Sequence, residues 1–322
     1  MHAITQRADG KNEIAYVGEV PWHGLGQTLD KGASIDQWEQ AAGFDWRVQR
    51  SRVCYETERG SNNAPHVFDE QHVLFRSDNK KPLGIVSQRY KVVQPREVLE
   101  FFRDVTEVTG GHLETAGTLF GGKRFWALAN LGNTESIRGD DTVTQYLLLT
   151  TSCDGSLATE ARETVIRAVC NNTVSAALSV KTKHAIKVSH RSVFDAAEVK
   201  RDLVETAGHY AAFVKAAREL TRISVNNAAA EKFIATLLAS STTREDVTES
   251  SAYQSILGLF KGSALGGTLL GVEGSAWGLF NAVSEHVDHR AQARTPDNKL
   301  NSAWFGNGDA LKTRALELAL SL

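Results

Sequence analysis

Residues 146–178 read YLLLTTSCDGSLATEARETVIRAVCNNTVSAAL, and this stretch decides the predicted fold. It begins with a continuous apolar run, which is typical of a buried strand, and the polar residues 152–156 predict the turn that ends it. The following residues, 157–178, predict a helix that carries Arg162 and Arg167. A buried strand, a turn and a basic helix together present backbone amides and guanidinium groups to an anion. The stretch therefore favours binding of a polyanion.

The preceding segments extend this unit into an α+β layer. Gly121 and Gly122 separate two alternating segments and predict a hairpin, while the polar residues 132–142 predict a loop. We therefore expect an antiparallel sheet backed by a long helix, with a β-β-β-α core. The predicted elements are strands at 46–57, 67–76, 83–93, 113–120, 123–131 and 143–151, and helices at 36–42, 96–108 and 157–178.

The pattern becomes mainly helical after residue 190. Apolar residues recur at helical spacing through residues 193–239, with a break near Val225, and again through 251–261, 273–292 and 301–322. This change predicts two domains, an α+β core at residues 1–190 with an irregular N-terminal segment, and a helical domain at residues 191–322.

Composition predicts a soluble protein of the cytoplasm. The chain has 322 residues, of which 42% are hydrophobic and 23% charged, and its net charge is −2. Any nucleic-acid surface must therefore be local. The three cysteines, Cys54, Cys153 and Cys170, are an odd number at wide spacing, which predicts neither a disulfide framework nor a zinc site. The N-terminal residues contain no apolar signal core, and no apolar window is long enough to span a membrane.

Several short motifs resemble catalytic or metal sites, but each has a simpler interpretation. The glycine-rich residues 258–271 lack the Gly-Lys-Ser/Thr ending of a phosphate-binding loop and read as a connector. Residues 285–289, EHVDH, do not have metalloprotease spacing and read as a solvated polar face. Cys170 falls well inside the predicted helix, and Asp154 reads as an Asx turn. We therefore predict no catalytic residue, no metal and no cofactor.

Basic side chains are concentrated between residues 161 and 191. This stretch contains six Lys or Arg residues and one acidic residue, so its local charge is +5. Basic side chains interleaved with aromatic rings can follow a phosphate backbone and stack on bases. Together with the predicted hairpin, the candidate nucleic-acid-binding residues are Lys123, Arg124, Trp126, Arg162, Arg167, Lys181, Lys183, Lys187 and Arg191.

A competing interpretation remains for these residues. Residues 181–191 also fit an exposed connection between the two domains. Phe125 and Trp126 point to opposite faces of a strand, so one of them is expected in the core.

Five segments carry a family resemblance. They are PWHGLG at 21–26, VSQRYKVVQ at 86–94, DGS at 154–156, IRAVCNNT at 166–173 and WFGNG at 304–308. With these segments the chain resembles phage- and plasmid-borne proteins that are grouped as a domain of unknown function. The resemblance implies a mobile genetic element in a bacterium, and hence the cytoplasm of the host cell.

A second, more distant resemblance is architectural. The order helix-strand-strand-strand-helix in residues 95–178 is similar to the core of single-strand annealing proteins of recombination. In those proteins a β-hairpin and a long helix line a basic groove around an oligomeric ring. The resemblance implies that Lys123 and Arg124 of the hairpin, with Arg162 and Arg167 of the helix, line such a groove.

Three functions follow as hypotheses. The first is a non-enzymatic, oligomeric protein that binds and anneals single-stranded DNA. The second is a metal-dependent nuclease using acids such as Asp140, Asp141, Asp154 and Glu160. The third is an interaction protein directed at the host, for example against its defence systems.

Overall fold

A computed structural model describes residues 5–7, 9–18, 25–57, 64–169, 172–175, 186–188, 208–239 and 247–322. These residues form a mixed α+β fold with a helical C-terminal region, as the sequence predicts. The strands are β1 (Ile14–Val17), β2 (Gln27–Leu29), β3 (Val48–Tyr55), β4 (His66–Arg76), β5 (Pro82–Ser87), β6 (His112–Leu119), β7 (Arg124–Arg138), β8 (Asp141–Ser152), β9 (Thr159–Arg167), β10 (Asn172–Ser175) and β11 (Ile186–Val188).

The described helices surround these strands. They are α1 (Ile35–Ala42), α2 (Pro95–Val108), α3 (Gly208–Leu220), α4 (Asn227–Leu238), α5 (Ser251–Gly258), α6 (Ala276–Glu285), α7 (Pro296–Phe305) and α8 (Asn307–Ala319). Two of them continue into π-helical turns, α5 into Leu259–Ser263 and α6 into His286–Arg290.

The main sheet has eight strands in the order β10-β9-β8-β7-β6-β1-β2, with β11 also paired to β9. Its pairs are antiparallel except for β1 and β2, which are parallel. Strand β8 lies near the middle of the sheet, and its residues Leu147, Leu148 and Leu149 are all buried. Continuous apolar runs of this kind are typical of strands that are covered on both faces.

The helix predicted at 157–178 is wrong. Thr159–Arg167 form strand β9, which pairs with β8 in the register Val143↔Arg167 to Thr150↔Glu160, and Asn172–Ser175 form β10. Every second residue of β9, Ala161, Glu163 and Val165, lies on the sheet face that carries Leu147. This period of two, together with β-branched residues, fits a strand and not a helix.

The loop predicted at 132–142 is also largely wrong, because β7 continues through it to Arg138. Pairing with β8 resumes at Thr134↔Thr144 after an irregularity that follows Asn130. Cross-strand pairing thus overrides the polar composition of these residues.

Two helices back the sheet near β6 and β1, where local sequence signals fix their ends. Ser34 and Gln37 form a capping box at the start of α1, and Gly43 ends the helix at a φ of 83°. Pro95 occupies the first turn of α2, where its missing N–H is not needed. The helix that backs this part of the sheet therefore precedes β6 to β8 in the chain instead of following them.

The hydrophobic core has three parts. One lies between the sheet and α1 and α2, and another lies on the opposite sheet face below α7. The third joins Val143 and Val165 of the sheet to Phe213 and Trp277 of α3 and α6. Residues on both sides of the proposed domain boundary at 190/191 share this third cluster. The boundary itself lies outside the described residues, so the division into two domains stays a prediction.

A second, three-stranded sheet has the order β3-β4-β5 and confirms three strands of the sequence analysis. We call it the arm. Its base packs on the core through Val48, Leu74 and Val86. Its far end carries Tyr55 and Phe68, which are both exposed, so the arm leaves the core there.

Candidate nucleic-acid interface

Arg162 lies on β9 and is held against the C-terminal helices. Its Nη1 donates to Asp309 Oδ2 at 3.0 Å and its Nη2 donates to the carbonyl of Trp304 at 3.2 Å. The guanidinium also lies 5.5 Å from the ring centre of Phe305. The positive charge is thus already neutralised within the protein.

Arg167 is 3% exposed and belongs to a buried polar cluster. Its Nε donates to Asp141 Oδ1 at 2.6 Å, and the indole N–H of Trp277 donates to Asp141 Oδ2 at 2.7 Å. A buried arginine with a carboxylate partner joins sheet and helix, but it does not face solvent.

The predicted hairpin is likewise packed against the protein. Arg124 donates to the side-chain oxygen of Asn301 and lies over the ring of Phe120, 5.3 Å from its centre. Trp126 is 2% exposed and meets Trp304 edge-on, with ring centres 4.8 Å apart. Trp126 is therefore a core residue and cannot stack on a base. Lys123 is half-buried in the turn before β7.

The remaining candidates do not complete the predicted site. Lys187 lies in β11 opposite Glu160, and only its backbone is described. Lys181, Lys183 and Arg191 lie outside the described residues. Because Trp126, Arg162 and Arg167 are buried or paired with carboxylates, the prediction of one open trough lined by these side chains is wrong.

Exposed aromatic rings occur instead on the arm. Directly paired residues share a face of a sheet, and successive residues alternate. The pairs Val53↔Phe68, Tyr55↔His66 and Val73↔Ile85 therefore lie on one face, together with Phe75. We call this face the platform and define it by Val53, Tyr55, His66, Phe68, Val73, Phe75 and Ile85.

The platform is open to solvent. Tyr55 is 51% exposed, Ile85 is 58% exposed and Phe68 is also exposed. The rings of Tyr55 and His66 stack on each other with centres 5.3 Å apart. Lys80 Nζ lies 5.9 Å from the ring centre of Phe75. A cation beside flat apolar rings is the combination that binds unpaired bases.

The arm and the turn after it also carry exposed cations without carboxylate partners. None of these side chains forms an ion pair with any residue that the structure describes, whereas Arg96, Arg103 and Arg218 elsewhere all do. The exposed cations are Arg47, Arg50, Arg52, Lys80, Lys81, Arg89 and Lys91. Among the described residues, four acids lie beside them, Glu56, Asp69, Glu70 and Asp78, and Asp78 is bound by Arg76.

Arg76 attaches the arm to the main sheet. It is 1% exposed, its Nη2 donates to Glu13 Oε1 at 2.6 Å and to Asp78 Oδ2 at 2.8 Å, and its guanidinium lies 4.2 Å from the ring centre of Trp46. Burial alone would lower the pKa of Arg76, but the hydrogen bonds to Asp78 and Glu13 outweigh burial and raise the pKa.

Two segments of the family resemblance meet where the arm joins the sheet. The Tyr90 hydroxyl donates to the carbonyl of Cys153 at 3.0 Å, and burial, followed by the charges of Cys153 and Asp154, raises the pKa of Tyr90 to about 12. Asp154 forms the predicted Asx turn by accepting from the Ser156 N–H at 2.9 Å. A Cβ at Gly84 would lie 2.9 Å from the Cβ of Asp154, so this strand position needs glycine.

The candidate catalytic groups do not converge. Asp141 and Asp154 flank the two ends of β8, so they cannot share an ion. Among the described residues no group of three or more His, Cys, Asp or Glu could hold a metal ion. Burial and the nearby Asp154 raise the pKa of the Cys153 thiol to about 12, which leaves it protonated and unreactive. Cys170 lies outside the described residues.

Residues 285–289 are not the solvated face that the sequence predicts. Glu285 is buried and accepts from the Leu265 N–H at 2.8 Å. Asp288 accepts from Lys312 Nζ at 2.7 Å, and both side chains are buried. These polar residues face a neighbouring helix and a loop because the π-helical turn brings them inward.

Sequence reasoning missed the arm as a binding surface because its charges are mixed with acids along the chain. The alternation of polar and apolar residues in β3 and β4 predicts strands, and the rings of Tyr55, Phe68 and Phe75 occur among polar neighbours. That pattern was the available signal. Which cations lack a carboxylate partner depends on tertiary contacts.

The model of a family described as Domain of unknown function (DUF932) matches residues 82–304, well over half of the chain. The chain belongs to this family. The match starts at Pro82, so β5 of the arm lies inside it, and β3 and β4 precede it.

Other comparisons add no functional information. No curated protein matches the chain, and no solved structure matches it. Among the described residues, no helix combines the length and the apolar character that crossing a membrane requires.

Proposed function

We propose that this DUF932 protein binds single-stranded DNA without making or breaking a covalent bond, and that the arm is its binding surface. The observation that carries the proposal is the contrast in pairing. Arg162 and Arg167 of the main sheet have carboxylate partners, whereas the exposed cations of the arm have none among the described residues. Exposed cations attract phosphates because binding releases condensed counterions from the strand.

The platform supplies the second part of the mechanism. Each base that stacks on an aromatic ring contributes about 1–3 kcal/mol, and stacking requires that the base is unpaired. Tyr55, His66 and Phe68 form one aromatic group at the end of the arm, while Phe75 lies nearer its base beside Lys80. A single strand is therefore a better ligand than a duplex, whose bases are enclosed.

Annealing and recombination are part of the proposal. An oligomer would place several arms along one strand, so that avidity strengthens modest individual contacts. The origin in a phage or plasmid, the cytoplasmic location and the role in recombination follow from the resemblances described above. Size-exclusion chromatography with light scattering, with and without DNA, measures the oligomeric state.

Binding is tested by fluorescence anisotropy with a labelled oligo-dT of about 20 nucleotides, which exceeds the known sites of about 4–16 nucleotides on sheet-based binders. We compare wild type with the variant Lys80→Asn, Lys81→Gln. Asparagine is chosen because Lys80 has a φ of 59°, which asparagine tolerates. Loss of two phosphate contacts should reduce the slope of log K against log salt by about 1.4.

A second variant, Tyr55→Ala with Phe68→Ala, should weaken binding about tenfold or more because it removes two stacking rings. The matched control, Lys215→Ala with Lys232→Ala, removes two exposed lysines from α3 and α4 and should leave the affinity unchanged. Absence of oligo-dT binding by the wild type at low salt would contradict the proposal.

The apolar platform also favours the alternative of a host-directed interaction protein. Tyr55, Phe68 and Ile85 form an exposed apolar surface of the type that binds proteins. Pull-down from host lysate with wild type and with the Tyr55→Ala, Phe68→Ala variant distinguishes the two functions if nuclease treatment is included. A partner that survives nuclease treatment and depends on the platform would favour the alternative.

A further inference from the structure

Two cations of the arm lie on the face opposite its aromatic rings. Arg50 and Arg52 are two residues apart on β3 and therefore share a face, which is opposite to the platform. Arg52 pairs directly with His72, so this histidine lies on the same face. We call the group of Arg50, Arg52 and His72 the shoulder, because it lies where this face of the arm leaves the core.

The shoulder concentrates positive charge. Cα atoms of residues two apart in a strand are about 6.6 Å from each other, so the two arginines are close neighbours. Both are exposed, and neither forms an ion pair with a described residue. Glu70 lies two residues from His72 on β4 and shares this face, but it forms no ion pair with either arginine. Asp154 packs against Gly84 in β5, two strands away from β3. Like charges at this distance repel unless an anion lies between them.

One hydrogen bond and one unpaired nitrogen characterise the side chains of the shoulder. Arg50 Nη2 donates to the backbone carbonyl of Tyr90, which directs its guanidinium along this face. Nδ1 of His72 is buried and has no hydrogen-bond partner within the described part of the chain. A buried ring nitrogen without a partner is uncommon.

The position of β3 connects the shoulder to the platform. β3 is an edge strand of the arm, and among the described residues no fourth strand covers its outer side. A flexible chain that passes over this edge can contact both faces at once. Nucleic acid has the matching arrangement, because its phosphates and its bases project in different directions from the sugars.

We propose that the shoulder binds a backbone phosphate and that a single strand crosses the edge of β3, with its bases on the platform and its phosphates at Arg50 and Arg52. This inference rests on the proposed function, and it adds where each part of the strand lies. A duplex cannot adopt this arrangement, since its bases are stacked between its two backbones.

The test separates stacking from phosphate contact. Tyr55→Trp places an indole on the platform, and its fluorescence is quenched when a base stacks on it. In this background, Arg50→Gln with Arg52→Gln should reduce the salt slope by about 1.4, corresponding to two phosphate contacts on a single strand. The fluorescence change at saturating oligo-dT should be retained. Arg218→Gln, which removes an exposed arginine that is paired with Glu135, is the matched control and should leave the slope unchanged.

The possible outcomes distinguish the inference from the proposed function. The double variant could still show quenching while its slope of log K against log salt stays at the value without the two substitutions. That result would overturn the shoulder as a phosphate site and leave nucleic-acid binding intact. Failure of the wild type to bind oligo-dT would refute the proposed function. Calorimetry with tripolyphosphate then decides the shoulder alone: binding that is lost on Arg50→Gln, Arg52→Gln supports a phosphate site, and no binding overturns it.

Discussion

Replacement of Arg76 by methionine tests how the arm is attached to the main sheet. The side chains of Arg76 and Glu13 are both 1% exposed and form two hydrogen bonds, at 2.6 and 3.1 Å. Arg76→Met keeps an apolar stem of similar length but leaves the Glu13 carboxylate buried without its main partner. Removal of one member of a buried ion pair costs about 3–5 kcal/mol.

The remaining contacts of Glu13 place the expected loss of unfolding free energy at the lower end of this range. The Thr118 hydroxyl donates to Glu13 Oε2, and Arg7 Nε lies 3.9 Å from Glu13 Oε1, so the carboxylate keeps partial compensation. We expect the free energy of unfolding to fall by about 3 kcal/mol. At roughly 2 °C per kcal/mol for a chain of this size, the Tm should fall by about 6 °C.

Urea denaturation followed by circular dichroism measures this change, and a double variant isolates its cause. Glu13→Gln combined with Arg76→Met removes both charges and should be more stable than Arg76→Met alone by at least about 1 kcal/mol, because no charge is left buried. A loss below about 1 kcal/mol in the single variant, or no recovery in the double variant, would refute the reasoning that an unpaired carboxylate determines the effect.

Three other predictions concern pH dependence, core packing and thiol reactivity. Burial raises the pKa of Glu163 from 4.5 to about 7, against an opposing hydrogen bond from Gln145, so the folded state binds more protons than the unfolded state between these values. Stability therefore falls as pH rises through this window, by up to about 3 kcal/mol, and Glu163→Gln should remove this dependence in melts between pH 4.5 and 8. Trp126→Phe should cost about 0.5–3 kcal/mol of stability and leave the Kd for oligo-dT unchanged, because Trp126 is a core residue. Iodoacetamide at pH 8 should modify the exposed Cys54 and not the buried Cys153 in the native protein, as measured by intact and peptide mass spectrometry.

Local signals were sufficient for much of the fold. Ser34 and Pro95 mark helix starts in the sequence, and the structure confirms both helices. The α+β class and the helical C-terminal region are confirmed for the same reason, since hydrophobic periodicity reports directly on secondary structure.

Residues 157–178 show where local signals fail. The prediction places Arg162 and Arg167 on a helix, whereas the alternation of Ala161, Glu163 and Val165 indicates a strand. Tertiary pairing decides between helix and strand here. Eight residues of β8 pair with β9 along the edge that β8 would otherwise leave open. A strand that gains a neighbour satisfies its backbone hydrogen bonds, and this contribution does not appear in the sequence of β9 itself.

The candidate site failed for a different reason. The charge count of +5 between residues 161 and 191 is correct, but it does not include partners that are distant in sequence. Asp309 lies 147 residues from Arg162 and neutralises it. Asp141, the partner of Arg167, is 26 residues away. Long-range pairing of charges therefore decides which cations remain available to a ligand.

The location of the arm makes the proposed function separable from stability. Arg50, Arg52, Lys80 and Lys81 are exposed, so their replacement changes the free energy of folding by no more than about 0.5 kcal/mol. Arg162 and Arg167 differ, because each pairs with a carboxylate between sheet and helix. Loss of either arginine leaves that carboxylate buried without its partner. Variants of the arm that lose DNA binding at unchanged Tm would therefore support the arm as the interface. Loss of binding in Arg162 variants would have to be compared with their stability before a contact is inferred.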